Sequence, residues 1–261
     1  MRVLITGASQ GIGAAVCRRL AADARRSGGR LQLAVCGSRH ADALSALVEE
    51  LSTAGAEATP LLGDLADPAT PARLIASAAD AFGGLDAVVS NAGIAQPGAL
   101  LDVAVEDWTR LFDINTRATW LLARAAHPWL RQAGGSLVTV ASMSGLDPQP
   151  GMGAYSVSKA ALIMLTRLIA QEWADDGIRA NCVSPGLVLT PMTEAAYADA
   201  DFKRRREDFV PQRRIADPLA DIAGVVAFLL GPDAAYCSGQ NIVADGGLTD
   251  SVLRTLPART V

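Results

Sequence analysis

Short runs of aliphatic and β-branched residues alternate along this chain with longer stretches in which apolar positions recur every three to four residues. The first run, Arg2–Thr6, enters a glycine-rich turn and then a helical pattern over 11–26. Ser27, Gly28 and Gly29 break that helix, and a second strand over 31–36 precedes a second helix over 41–53. Further strands are predicted over 57–62, 87–90, 136–141 and 178–183, with helices between them, and a last one over 241–244. The least regular stretch, 187–218, is long enough to form a substrate lid beside the sheet.

Strand–helix alternation implies right-handed crossovers and a mostly parallel sheet covered on both faces. The expected architecture is α/β: a single-domain, Rossmann-like doubly wound parallel sheet with helices on both faces, spanning 1–261 without linker or repeat. Half of the residues are hydrophobic, so a sizeable core can be buried. No apolar run approaches the ~20 residues of a membrane span, and the opening stretch is too short for a secretion signal; a cytoplasmic protein is expected. Cys17, Cys36, Cys182 and Cys237 are scattered, with only His40 and His127 to assist them, which argues against a metal site or a disulfide framework. A net charge of −4 leaves no footprint for nucleic acid. The basic run Lys203, Arg204, Arg205 and Arg206 follows Asp199 and Asp201, a pattern that places opposite charges four apart on a solvated helix face.

Candidate chemistry begins directly after the first strand, at Gly7, Ser9, Gln10, Gly11, Ile12 and Gly13. Glycines there permit a tight turn and close approach of backbone to a pyrophosphate, whose charge meets the free N–H groups of the following helix. A second cluster pairs Tyr155 with Lys159, four apart on one helix face within 153–173. A phenol titrates near pH ~10. A neighbouring ammonium, together with any bound cationic ring, should lower that value and let Tyr155 exchange a proton with a bound molecule. Ser142 follows the strand ending near 141, where its hydroxyl could stabilise a developing alkoxide.

The glycine spacing is Gly-x-x-x-Gly-x-Gly, and with it the chain closely resembles the short-chain dehydrogenase/reductase family, classical type. Later marks of that family appear in order: Asp64 and Leu65; Asn91, Ala92 and Gly93; Asn115; Ser142; Tyr155 and Lys159; Pro185, Gly186, Val188 and Thr190. The resemblance implies an NAD(P)-dependent alcohol dehydrogenase or carbonyl reductase. By it, Asp64 and Leu65 flank the adenine and Asn91 to Gly93 line the cofactor cleft. The segment containing Pro185, Gly186, Val188 and Thr190 contacts the nicotinamide carboxamide. Lys159 also binds the nicotinamide ribose, and Asn115 holds a water that relays protons from Lys159.

After the second strand stand Ser38 and Arg39, where an acidic residue would favour the ribose 2′-hydroxyl of NAD(H). A hydroxyl followed by a guanidinium suits a phosphate, so NADP(H) is favoured over NAD(H). The substrate pocket is expected around Ser142, Met143, Leu146, Met152 and Tyr155, with the lid above it, and the apolar side chains suit a small to medium alcohol or ketone. A 3-oxoacyl-carrier reductase and an NAD(H)-dependent ring-diol dehydrogenase are variants of the same chemistry. A non-catalytic nicotinamide-binding regulator is the alternative from another class. The resemblance further implies a homotetramer, or a homodimer, through helices over 105–132, 153–173 and 221–230, and the 248–261 tail could cover a neighbouring subunit or the site's mouth.

Overall fold

Alternation of the strand residues shows how the core is built. In the computed structural model, which describes residues 1–251, β1 (Arg2–Thr6) sends Val3 and Ile5 to one face of the sheet and Leu4 to the other. β2 (Gln32–Gly37) divides in the same way, Leu33 and Val35 against Ala34 and Cys36. Both faces are therefore buried, as near-continuous apolar strands require.

The sheet has seven strands in the order β3-β2-β1-β4-β5-β6-β7, all parallel. The remaining strands are β3 (Glu57–Leu62), β4 (Ala87–Ser90), β5 (Ser136–Val140), β6 (Arg179–Pro185) and β7 (Asn241–Ala244). One face is covered by α1 (Gly11–Ser27) and α2 (Ala41–Thr53), which contribute Val16, Leu20, Leu44 and Leu47 to the core. The other is covered by α3 (Thr70–Phe82), whose Leu74 and Ile75 pack with Leu4 and Val88. The chain moves outward from β1 to β3, then returns to β4 on the opposite side of β1. This reversal opens a crevice at the carboxyl ends of β1 and β4, where open α/β sheets bind ligands.

The helix expected over 105–132 is three pieces. α4 (Val105–Phe112) passes into a π-turn, Asp113–Arg117, and then into α5 (Ala118–Ala133). Ile114 and Asn115 of that turn are both buried. α6 (Tyr155–Glu172) begins at Tyr155 itself.

The stretch 187–218 also carries helices that its irregular pattern hides, α7 (Glu194–Tyr197) and α8 (Ala200–Phe209). α8 is N-capped by Asp199, whose carboxylate accepts from the Asp201 and Phe202 amides. Its ion pairs are Arg204–Asp201 and Lys203–Glu207, so a charged helix face exists, but Asp201 pairs with Arg204 rather than Arg205 and Lys203 with Glu207 rather than Asp199. Arg206 departs from it: the guanidinium lies over the Phe202 ring, 5.7 Å from the centroid. Beyond this segment, α9 (Ala223–Leu230) follows a second π-turn at Pro218–Ile222 and packs Val226 and Leu229 into the core. Most of the 248–261 tail lies outside the described residues.

Candidate active site

The crevice is a cleft of about 470 Å³ at the strand ends, within the range of small-molecule sites. One wall is the turn between β1 and α1. Gly7 has φ 63°, and a Cβ there would come within 2.9 Å of the Ala92 Cα. At Gly13 a Cβ would meet the Gly7 carbonyl oxygen at 2.3 Å, so glycine is what lets α1 sit this close to the turn. Gln10 precedes α1 without capping it, which leaves the amides of the first helical turn directed into the cleft without a side-chain acceptor.

The wall opposite is the loop after β4, and hydrogen bonds tie it to β1. Thr6 Oγ1 accepts from the Asn91 and Ala92 amides at 3.0 Å each. Asn91 Nδ2 donates back to the Thr6 and Gly7 carbonyls at 2.9 and 3.2 Å. Gly93 lies between two functional groups: a Cβ on it would stand 3.2 Å from both Asn115 Oδ1 and Lys159 Nζ.

Asn115 is fully engaged. Its Oδ1 accepts from the Ile94 amide at 2.9 Å, while Nδ2 donates to the Ile94 carbonyl and to Ser158 Oγ, each at 3.0 Å. Ser158 Oγ in turn donates to the Tyr155 carbonyl at 2.7 Å. The asparagine thereby joins the β4 loop to the first turn of α6. Sequence reasoning passed over Ser158; its position beside Lys159 carries no signal until the fold brings it against the π-turn.

Tyr155 and Lys159 stand one helical turn apart at the start of α6, the tyrosine half-buried and the lysine buried, with Lys159 Nζ 5.7 Å from the phenol ring centroid. Lys159 Nζ donates to the Val140 carbonyl at the end of β5, 2.9 Å away. Burial pulls the ammonium down from 10.5 to about 8, partly countered by Cys182. Ser142 is buried in extended conformation, its Oγ accepting from the Ser144 amide at 3.1 Å. A lowered phenol pKa is expected from Lys159 together with an oxidised nicotinamide ring; in the protein alone the shift runs the other way. Burial raises it, and hydrogen bonding with Ser142 offsets only part of that rise. A phenolate here needs positive charge beyond what the protein supplies by itself.

Of the residues expected at the cofactor, the cleft is lined by Gly7, Ser9, Gln10, Gly11 and Ile12 on the turn and by Ser38 and Arg39 after β2. Asp64, Leu65, Asn91, Ala92 and Gly93 line it from the loops, and Tyr155, Lys159 and Thr190 from the far end. Four expected residues lie behind the lining instead. Gly13 packs α1 on the turn, and Pro185 pairs with Ala244 at the end of β6. At Gly186 a Cβ would meet the Asp245 Cβ at 2.5 Å, and Val188 is buried in a bridge to Ala216.

Of the residues expected around the substrate, Ser142, Met143, Leu146 and Met152 do not line the cleft, and Ser142 is the one that hydrogen-bonds with the Tyr155 side chain. Met143 packs on the apolar cluster of Leu187, Tyr197, Val210 and Ile215, so the segment expected as a lid touches the loop after Ser142. Leu146 is exposed, and Met152 bridges to Gly98.

His40, Arg110 and Ile114 also line the cleft, unforeseen from the sequence. Arg110 reaches Asp64 at 3.7 Å across the far rim. His40 could have been found by continuing one residue past Arg39; Arg110 could not, because its place follows from where α4 packs.

The residues fit a nicotinamide dinucleotide. Uncapped helix amides and a glycine cradle suit a pyrophosphate, and donors without a carboxylate follow β2. Among the described residues no cluster of acidic, histidine or cysteine side chains could hold a metal ion, and no helix is long and apolar enough to cross a membrane.

A doubly wound parallel sheet with such a cleft at its switch point defines a dinucleotide-binding α/β protein. Comparison with known proteins narrows the class. The family model described as enoyl-(acyl carrier protein) reductase matches residues 7–249. Human dehydrogenase/reductase SDR family member 4 is 35% identical over 247 residues, covering 94% of this chain and 86% of the relative. The 2,5-dichloro-2,5-cyclohexadiene-1,4-diol dehydrogenase of Sphingobium indicum is 33% identical and covers 94% of each chain. A short-chain dehydrogenase from Burkholderia cenocepacia J2315, solved in complex with NADP, superposes with a TM-score of 0.85 at 35% identity, covering 95% of this chain and 97% of that one. This chain belongs to the short-chain dehydrogenase/reductase family and is an oxidoreductase of that family.

Proposed function

We propose that the protein catalyses reversible hydride transfer between NADP(H) and a small to medium, apolar alcohol/carbonyl pair, in one catalytic domain. The observation that carries this reading is the pair Tyr155 and Lys159 lining a cleft shared with the glycine turn, with Ser142 hydrogen-bonded to the tyrosine. The nicotinamide ring, when bound, supplies hydride transfer to or from the substrate carbon. The rest is proton and charge management by this chain.

Tyr155 is the general acid/base: its phenol gives the proton to the carbonyl oxygen in reduction and takes it from the alcohol in oxidation. Lys159, protonated below about 8, places positive charge beside the phenol, to which the positive ring of the oxidised nicotinamide would add when bound. Ser142 donates to the same substrate oxygen. Asn115 acts through position, holding the β4 loop and Ser158 so that a water can relay protons from Lys159.

For the cofactor, the turn from Gly7 to Gly13 receives the pyrophosphate, Asp64 and Leu65 the adenine, and Ser38 with Arg39 the 2′-phosphate. Asn91, Ala92 and Gly93 form the wall of the cleft. Pro185, Gly186 and Val188 shape the loop that brings Thr190 to the carboxamide. The helices α7 and α8 form the lid, and Met143, Leu146 and Met152 supply apolar substrate contacts. NADP in a solved relative supports the cofactor choice.

A carbonyl and alcohol panel followed at the absorbance of reduced nicotinamide tests the assignment. Tyr155→Phe is expected to lower kcat by about 10²- to 10⁴-fold while NADP⁺ binding by calorimetry persists. Wild-type turnover in that variant would refute the mechanism. Cofactor binding with no turnover by the native protein would favour a regulator.

A further inference from the structure

We propose that His40 is a member of the adenosine 2′-phosphate pocket and that its protonation makes selection of NADP(H) over NAD(H) depend on pH. The proposal rests on the NADP(H) reading above and adds to it a residue which that reading does not contain.

The chain leaves β2 at a defined point. Every residue of β2 is buried through Gly37, and the three that follow, Ser38, Arg39 and His40, are all exposed and all line the cleft. Gly37 fixes their direction: its carbonyl accepts from the Gly63 amide at 3.0 Å, and a Cβ on it would touch Ser9 at 3.6 Å. The segment 38–40 therefore lines the same cleft as the phosphate-binding turn, entering it beside Ser9.

His40 is the residue before α2, at φ −103° and ψ 69°, and its side chain does not cap that helix. Among the described residues neither the Arg39 guanidinium nor the His40 imidazole has a hydrogen-bonding or ionic partner. The pocket thus holds a hydroxyl, a guanidinium and an imidazole side by side, none of them committed elsewhere.

Charge at this corner must come from that segment. The turn opposite contributes only neutral Ser9 and Gln10. Asp64, on the loop after β3, accepts from the Ala66 amide at 3.0 Å and faces Arg110 of α4, so its charge is largely answered. Arg73 of α3 donates to the Leu62 carbonyl. Asp42, in the first turn of α2, is the one acidic group on the same segment.

A neutral imidazole offers one N–H donor; the protonated ring offers two and a positive charge. Phosphate monoesters lose their second proton near pH ~6, so the 2′-phosphate is chiefly dianionic where an ordinary histidine still titrates. Binding of a 2′-phosphate should then favour the imidazolium, and by linkage a lower pH should tighten NADP(H) but not NAD(H). An exposed charge pair of ordinary strength corresponds to about a threefold change in Kd between pH ~6.5 and pH ~8.5.

Calorimetric titration of the full chain with NADP⁺ and with NAD⁺ at the two pH values reads this directly. The expected result is an NADP⁺ Kd about threefold tighter at the lower pH relative to His40→Gln, and an NAD⁺ Kd that moves equally in both proteins. His40→Lys should hold the tight value at both pH values. Parallel NADP⁺ profiles for the native protein and His40→Gln would overturn the role of His40, while Arg39→Ala still weakening NADP⁺ would leave the cofactor reading standing. NADP⁺ bound no tighter than NAD⁺, with Arg39→Ala of no effect, would overturn that reading and the His40 proposal together.

Discussion

Lys159 brings a charge to a nearly buried position at the end of the cleft. Its only hydrogen-bond acceptor among the described residues is the Val140 carbonyl, and no carboxylate neutralises it. Such a group costs stability wherever it stays protonated. With a folded value of about 8 against 10.5, both states hold the proton below pH 8 and the full burial cost applies. Between those values the folded form releases the proton while the unfolded chain keeps it, so stability rises with pH through that window. Lys159→Met should therefore raise Tm at pH 7 while removing turnover. Thermal melts should show that gain shrinking as pH climbs from 8 toward 10.5. A variant less stable than the native protein at pH 7 would contradict this account of the site.

Tyr155 belongs to the same scale and was only half legible. Its spacing from Lys159 was evident in the sequence, because four positions along a helix share a face whatever the tertiary context. The direction of its pKa shift was not, because burial depends on what covers the ring, and here burial outweighs Ser142. Asn115 and Ser142 were likewise legible as members of an ordered set. Ser158, His40 and Arg110 became visible only when distant segments met.

At the level of elements, the joint of β1 and α1 is set by the absence of a side chain at Gly13. A methyl group there would lie 2.3 Å from the Gly7 oxygen and 2.7 Å from Asn91 Nδ2, both held by the β4 loop. Neither is the free end of a flexible chain, so the helix must move. Gly13→Ala is expected to cost about 1–3 kcal/mol in a denaturant titration and to weaken dinucleotide binding. Gly98, with nothing within 4 Å of its would-be Cβ, provides the contrast: Gly98→Ala should leave the unfolding midpoint within about 0.5 kcal/mol of native. Equal losses in both variants would show that the joint is not sterically tight.

The π-turn at Asp113–Arg117 could not be read from the apolar period, since one extra residue in a turn scarcely alters a helical pattern. The helices of the 187–218 segment were missed for a related reason. α8 is polar over most of its surface, with no buried residue, so periodicity gave nothing to detect.

Across the whole molecule, the outer surface of α6 is informative. Its inner face buries Leu162, Ile163, Thr166 and Ile169, yet Val157, Met164 and Leu168 form a second apolar stripe that faces outward. Val105 and Trp108 of α4 and Trp120 of α5 are also exposed. A helix covering its own core needs one such stripe, and contiguous exposed apolar surface points to a partner. We expect the partner to be a second copy of this chain in a homotetramer or homodimer, with the α4–α6 surface at one interface. Met164→Lys combined with Leu168→Lys should lower the mass in light scattering by at least half while far-ultraviolet circular dichroism is retained. An unchanged mass would place the interface elsewhere.

By itself the sequence determined the order of the strands and of most helices, the parallel sheet and the glycine turn, and it singled out Tyr155, Lys159, Ser142 and Asn115 as candidates. The elements rest on local periodicity and the Tyr155–Lys159 pair on short spacing, while Ser142 and Asn115 rest on the resemblance to the family. Only the tertiary structure decided which expected residues line the cleft and which, such as Gly186 and Val188, stand behind it holding strands together. It also decided that burial opposes the Tyr155 phenolate and that His40 joins Arg39 at the rim. Burial, and the meeting of segments far apart in the chain, arise from packing, and no spacing along the sequence encodes either.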